Sequence, residues 1–135
     1  MPANTIWALW DDLDMDTATC GPNCGVYTST SGVAPNRIFN VEWRACVKAD
    51  GACVGNVDFE VRLYEGQTRF DVIYGSVAAD VNNAAIGVRG SIANTSTFYA
   101  CDASNVTSNL QLSFTLQSCN RGWPISTPPA ISRTR

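Results

Sequence analysis

The chain contains no histidine. That excludes Ser-His-Asp and Cys-His nucleophilic machinery, together with any zinc site that mixes cysteine with histidine. Lysine is almost as scarce: Lys48 stands alone beside eight arginines, and nowhere do basic residues run together. With 16% charged residues and a net charge of −3, nothing in the chain marks a phosphate-backbone partner, so no nucleic acid is expected. No apolar run approaches the roughly 20 residues that a helical bilayer span requires, so no membrane insertion is expected. No segment carries a helical apolar stripe with caps at its ends. The opening "MPANTIW" has neither a charged n-region nor an apolar h-region, so no signal peptide is expected there. The expectation is a chain whose leader has been removed, or a piece from within a longer secreted protein.

What the chain does have is cysteine, in an even number: six in 135 residues. They fall as three near neighbours, Cys20/Cys24, Cys46/Cys53 and Cys101/Cys119, and the spacings do not form paired C-x-x-C zinc knuckles. Six cysteines permit 15 connectivities, and local closure at turns favours the three near-neighbour pairs. Three disulfides imply an oxidising, extracellular setting. The sequons at Asn94 ("NTS") and Asn105 ("NVT") are compatible with glycosylation there. The stretch "CGPNC" invites comparison with a redox dithiol, but it is one residue too long and Gly-Pro-Asn is turn chemistry.

Period-2 alternation dominates the rest. Phe39, Val41, Trp43 and Ala45 share one face of "RIFNVEWRA", with Asn40, Glu42 and Arg44 on the other. Val57, Phe59, Val61 and Leu63 alternate in the same way, as do Phe70, Val72 and Tyr74, and then Leu110, Leu112, Phe114 and Leu116. Joining 57–64 to 69–74 through "EGQT" sets Leu63 opposite Phe70, Val61 opposite Val72 and Phe59 opposite Tyr74. The same register places Arg62 opposite Asp71 as an outward, opposite-charge pair. In the preceding hairpin an inward partner for Trp43, such as Val57 or Val61, requires an even sum of residue numbers, whereas Cys46 and Cys53 sum to an odd one. Their disulfide should therefore close "CVKADGAC" beyond the regular pairing, with a bulge or irregular turn. Further strands are expected at 6–13, 24–31, 84–90 and 95–101. The predicted fold is all-β, an antiparallel, jelly-roll-like β-sandwich of seven or eight strands spanning 1–120. The Pro-rich stretch 121–135 reads as a tail or linker.

The aspartates of "WDDLDMD" offer a cation site. Asp12, Asp14 and Asp16 alternate as D-x-D-x-D, and calcium takes six to eight oxygens. Counted as an EF-hand loop from Asp12, however, Thr17 stands at the glycine position and Asn23 at the terminal glutamate position. The competing reading has Asp11 and Asp12 ending a strand by bonding turn backbone, with Asp14 and Asp16 solvated. No other cofactor is suggested. A carboxylate pair for glycoside hydrolysis can be drawn from Glu42 and Glu60. Each, however, shares an outer face with an arginine two residues on, Arg44 and Arg62, and ion pairing accounts for them more simply. No enzyme is expected.

The phrases "WALWDDLD", "GVYTSTSGVAPNRIFNVEWR", "VDFEVRLYEGQTRFDVIYGSV" and "AAIGVRG", running in that order over residues 6–90, resemble a β-sandwich module of large secreted and cell-surface proteins of bacteria and archaea. That module is distantly similar to nidogen-like extracellular domains. The resemblance implies a non-catalytic, extracellular module within a multidomain protein, and it brings no functional residues with it. Its partners would be other protein subunits or neighbouring domains of its own chain. Two alternatives stand beside it. One is a subunit of an extracellular filament that uses 121–135 as an inter-subunit arm. The other is a carbohydrate-binding module for surface glycans. Of its four tryptophans and four tyrosines, Trp7 or Trp10, and Trp43, are expected on core-facing strand positions, and Trp123 and Tyr64 are left to stack on a sugar.

Overall fold

The computed structural model describes residues 4–77, 81, 83–90, 95–102, 106–116 and 130–134. Among them lie ten strands and no helix: β1 (Thr5–Trp10), β2 (Leu13–Asp14), β3 (Gly25–Ser31), β4 (Ile38–Ala49), β5 (Ala52–Tyr64), β6 (Arg69–Val77), β7 (Ala85–Arg89), β8 (Ser96–Ala100), β9 (Gln111–Thr115) and β10 (Ala130–Thr134). They form two antiparallel sheets, as the alternation predicts. The small one runs β1-β7-β8. The large one runs β10-β9-β6-β5-β4-β2, with β3 also paired to β4. Of the predicted tail, Ala130–Thr134 pairs along β9, with Ile131 opposite Phe114.

The β5–β6 hairpin adopts the predicted register: Leu63 with Phe70, Val61 with Val72, Phe59 with Tyr74 and Arg62 with Asp71. In β4–β5, Trp43 lies opposite Phe59 and Ala45 opposite Val57, so the parity is even as required. The register then shifts after Val47, where Lys48 pairs with Cys53, and Val54 is the extra residue. The ladder nevertheless continues to Ala49 and Ala52. The cysteine loop is thus not outside the pairing. It is a hairpin closed by Asp50 and Gly51, both with positive φ (50° and 84°), the signature of a tight primed turn. The Cys46–Cys53 disulfide spans the bulge, and Cys20–Cys24 closes the other predicted loop. Cys101 is exposed, and its expected partner Cys119 lies outside the described residues.

The core sits between the sheets. Val57, Phe59, Val61, Val72, Tyr74, Leu112 and Phe114 face it from the large sheet, and Ala8, Leu9, Ile86 and Ala100 from the small one. Trp43 stacks on Phe59 at 5.2 Å and Phe70 on Phe114 at 4.8 Å. Trp7 and Trp10 do not join it. Trp7 shares the far face of the small sheet with Gly87 and Phe98, its neighbours in register. The Trp7 and Phe98 rings close over Gly87 at 5.2 Å, with Trp10 edge-on to Trp7 at 6.0 Å. Gly87 itself allows the β8 backbone to come close, because a Cβ there would lie 2.3 Å from the Thr97 carbonyl oxygen.

The two sheets differ in length. β4 and β5 have 12 and 13 residues, whereas β7 and β8 have 5 each. At about 3.3 Å per residue, the small sheet covers only part of the large one. Phe39 and Leu63, predicted to face inward, occupy paired positions at the uncovered end and are 43% and 40% exposed. Conversely Asn40, predicted to face outward, is nearly buried, because its amide donates to Ser29 Oγ and Ser31 Oγ across the β3–β4 ladder.

Candidate functional site

Strand alternation turns a polar set of side chains to the outer face of the large sheet: Glu42 and Arg44 from β4, Asp58, Glu60, Arg62 and Tyr64 from β5, Arg69 and Asp71 from β6, and Gln111 and Ser113 from β9. Its carboxylates meet three different fates.

The glutamates are paired along their own strands. Arg44 donates to both Glu42 carboxylate oxygens, at 2.8 and 3.2 Å, and Arg62 donates to Glu60. This is the ion pairing expected from the sequence, and it leaves neither glutamate as a free acid or base. Arg44 also lies over the Tyr27 ring, 4.6 Å from its centroid. The Tyr27 hydroxyl reaches back to the Asn23 carbonyl, tying the Cys20–Cys24 loop to the sheet.

Asp71 departs from expectation. Its register with Arg62 is as predicted, but Arg62 is drawn along its own strand to Glu60, so the cross-strand ion pair does not form. Asp71 is instead almost completely covered, 1% exposed. Its Oδ2 accepts from the Tyr64 hydroxyl at 2.6 Å and from Gln111 Nε2 at 3.0 Å, with Arg69 3.7 Å away. Its Oδ1 has no hydrogen-bond partner among the described residues. Tyr64 is therefore not a free ring. Arg69 lies over it at 4.2 Å, and burial, followed by the hydrogen bond to Asp71, raises its phenol above the ordinary range.

Asp58 is the third case. It borders a cleft of about 410 Å³ between the sheet and the Cys20–Cys24 loop, lined also by Arg44, Asn56 and the loop residues Gly21, Pro22 and Asn23. Desolvation, and then the neighbouring Glu42, push its carboxyl above the usual value, with Arg44 opposing. Chemically the cleft offers an acceptor at Asp58 and an amide at Asn56 beside an arginine already engaged. That set suits hydrogen bonding to a polar group.

The aspartates singled out for calcium lie elsewhere, between β1 and β3. Asp14 Oδ1 accepts from the Asp16 amide and Asp16 Oδ1 from the Ala18 amide, both turn-capping bonds. Asp14 Oδ2 accepts from Thr19 and lies 3.5 Å from Lys48 Nζ. These contacts, led by the bond from the Asp16 amide, lower its carboxyl below the ordinary value. Asp12 meets Lys48 through its backbone carbonyl instead, and Asp11 caps the Asp12 amide. Among the described residues no three His, Cys, Asp or Glu side chains gather as a metal-binding group. Trp123, Asn94 and Asn105 lie outside the described residues.

Asp71, Gln111 and Asp58 were not singled out in the sequence. Asp71 reads there as one half of an outward pair. Gln111 lies 40 positions from it, and only the β6–β9 ladder brings the two together.

A family model described as "NIDO related" matches residues 2–130. The match extends through the C-terminal third, well past the 6–90 covered by the resemblance noted in the sequence. No match to a curated protein or to a solved structure was found.

Proposed function

The chain belongs to the NIDO-related family, and from that premise we propose that it is a non-catalytic extracellular module with a structural or adhesive role in a surface or secreted protein. The observation that carries the reading is the family match over residues 2–130. Two features support it. Two disulfides close loops of the large sheet, which suits an oxidising compartment. The outer face consumes its glutamates in ion pairs and presents hydrogen-bonding groups, a surface suited to recognition rather than proton transfer.

Beads coated with the folded full chain test this reading. They should adhere to immobilised cell-envelope polysaccharide, to extracellular protein or to one another, whereas beads carrying the reduced and alkylated chain should not. Coated beads that stay inert to all three surfaces would remove the adhesive role. Turnover of glycoside or ester substrates by the folded chain would overturn its non-catalytic character.

A further inference from the structure

The outer strand β3 differs from every other sheet edge among the described residues. It pairs with β4 from Gly25–Arg44 to Ser31–Ile38 without a single register break. Its other side meets no described strand, and every side chain from Val26 to Ser31 is exposed. Sheet edges of natural proteins are normally blunted by charge, proline or a bulge, because their unpaired amides and carbonyls accept another strand. The remaining edges here follow that rule. β1 carries a bulge between Trp7 and Trp10, β8 meets β7 through a shift at Ile86/Gly87, and β10 carries Arg133. β3, "GVYTSTS", has none of these devices. No charged residue occurs anywhere from Thr17 to Asn36.

We propose that β3 is a self-association edge, pairing antiparallel with β3 of a second copy about a two-fold axis at Thr28, so that two large sheets become one continuous sheet. The backbone supplies the chemistry: an open edge can be completed only by another extended strand. The side chains select a copy of the same chain. With Thr28 on the axis, all seven residues find partners: Thr28 meets Thr28, Val26 meets Thr30, Tyr27 meets Ser29, and Gly25 meets Ser31. Thr–Thr pairs are favourable across antiparallel strands. In a chain of net charge −3, the uncharged edge is also where two copies approach with least repulsion. An isologous contact of this kind closes on itself as a dimer.

Charge placed on the axis tests the geometry. Sedimentation velocity of the full chain should show a concentration-dependent monomer–dimer equilibrium. Thr28→Lys and Thr28→Asp, each alone, set like charges face to face and should weaken the dimer by at least about tenfold in dissociation constant. Mixing the two variants should restore it, which a general folding defect cannot do, and near-ultraviolet circular dichroism confirms that each variant is folded. A wild-type chain that stays monomeric to hundreds of micromolar would overturn the proposal. So would a dimer indifferent to both substitutions, which places the contact on another surface, and so would a mixture that fails to recover.

Discussion

The Tyr74 hydroxyl donates a hydrogen bond to the Ala8 carbonyl, joining the middle of the large sheet to the edge of the small one. Local geometry frees that acceptor. Between Trp7–Gly87 and Trp10–Ala85 the β1–β7 ladder shifts register, so Ala8 and Leu9 together face Ile86 and both turn towards the core. Tyr74 is fully buried, and burial raises its phenol far above the ordinary value, so it remains a donor at any physiological pH. Tyr74→Phe removes the donor and strands the carbonyl. It should lower the unfolding free energy by about 1–3 kcal/mol, read from urea unfolding with an unchanged m-value.

Asp71 is the buried acceptor of the large sheet's outer face. Its carboxylate gathers Tyr64 and Gln111 around one oxygen on the face of β6 opposite to that of Tyr74. Asp71→Ala leaves both donors without their acceptor in a covered site, and the loss of stability should be about 1–3 kcal/mol. Asp71→Asn keeps an acceptor for the Tyr64 hydroxyl and should lose less. Equal losses in thermal or urea unfolding would mean that a neutral acceptor of the same shape recovers nothing, and that the carboxylate charge carries the whole contribution.

These two sites mark how far the sequence could be read. Neighbouring strands were legible: the four-residue turn and the alternation place Val61 on Val72, residue parity requires a shift near Cys46 and Cys53, and both are found. Contacts that depend on which sheet packs on which were not. Nothing in the order of residues sets Ala8 under Tyr74, 66 positions away, or shows that the small sheet is too short to cover Phe39 and Leu63. β10 escaped because its segment lacks alternation and follows three prolines, at 124, 128 and 129. Asp71 departs from its expected pairing although the opposite charges stand directly across the ladder. Glu60 lies on the same face as Arg62, two residues away, and takes it instead.

The pH dependence should show the Arg37–Glu65 pair. Arg37 donates through its side chain and its amide to Glu65, linking the start of β4 to the β5–β6 turn. These bonds hold the Glu65 carboxyl at about 2, against an ordinary 4.5. Between those values the unfolded chain binds a proton that the folded chain does not, so stability rises with pH there. The contribution is complete above about 4.5 and disappears as pH falls through about 2. Glu65→Gln should flatten the stability profile in that acid window. The loss should be greatest above about 4.5, where the contribution is complete, and modest in size throughout because the pair is exposed.

Calcium should leave the melting temperature unchanged. Asp14 and Asp16 already serve backbone amides, and Lys48 stands beside Asp14. A cation would have to displace those contacts to recruit Asp12. A ligand that bound the folded state alone at 100 times its dissociation constant would add about 2.7 kcal/mol, readily seen as a shift in melting. Thermal unfolding in excess calcium against excess chelator provides the comparison, and an upward shift in calcium would reinstate Asp12, Asp14 and Asp16 as a site.

Residues 130–134 should contribute to the fold rather than hang from it as a tail. β10 extends the large sheet beyond β9 with five consecutive pairs, from Ala130–Thr115 to Thr134–Gln111. Ile131 packs against the buried core beside its ladder partner Phe114. Removing residues 130–135 uncovers one side of Phe114 and Leu112 and leaves the β9 backbone as a second open edge. Loss of the apolar contact of Ile131 should lower stability by about 1–2 kcal/mol. The single substitution Ile131→Ser should reproduce most of that loss while leaving the β9 edge covered. Only the truncated chain should also self-associate more strongly, because only there is β9 exposed. A truncated chain with the melting temperature and sedimentation behaviour of the full chain would show that β10 adds nothing, and that the sandwich is complete without it.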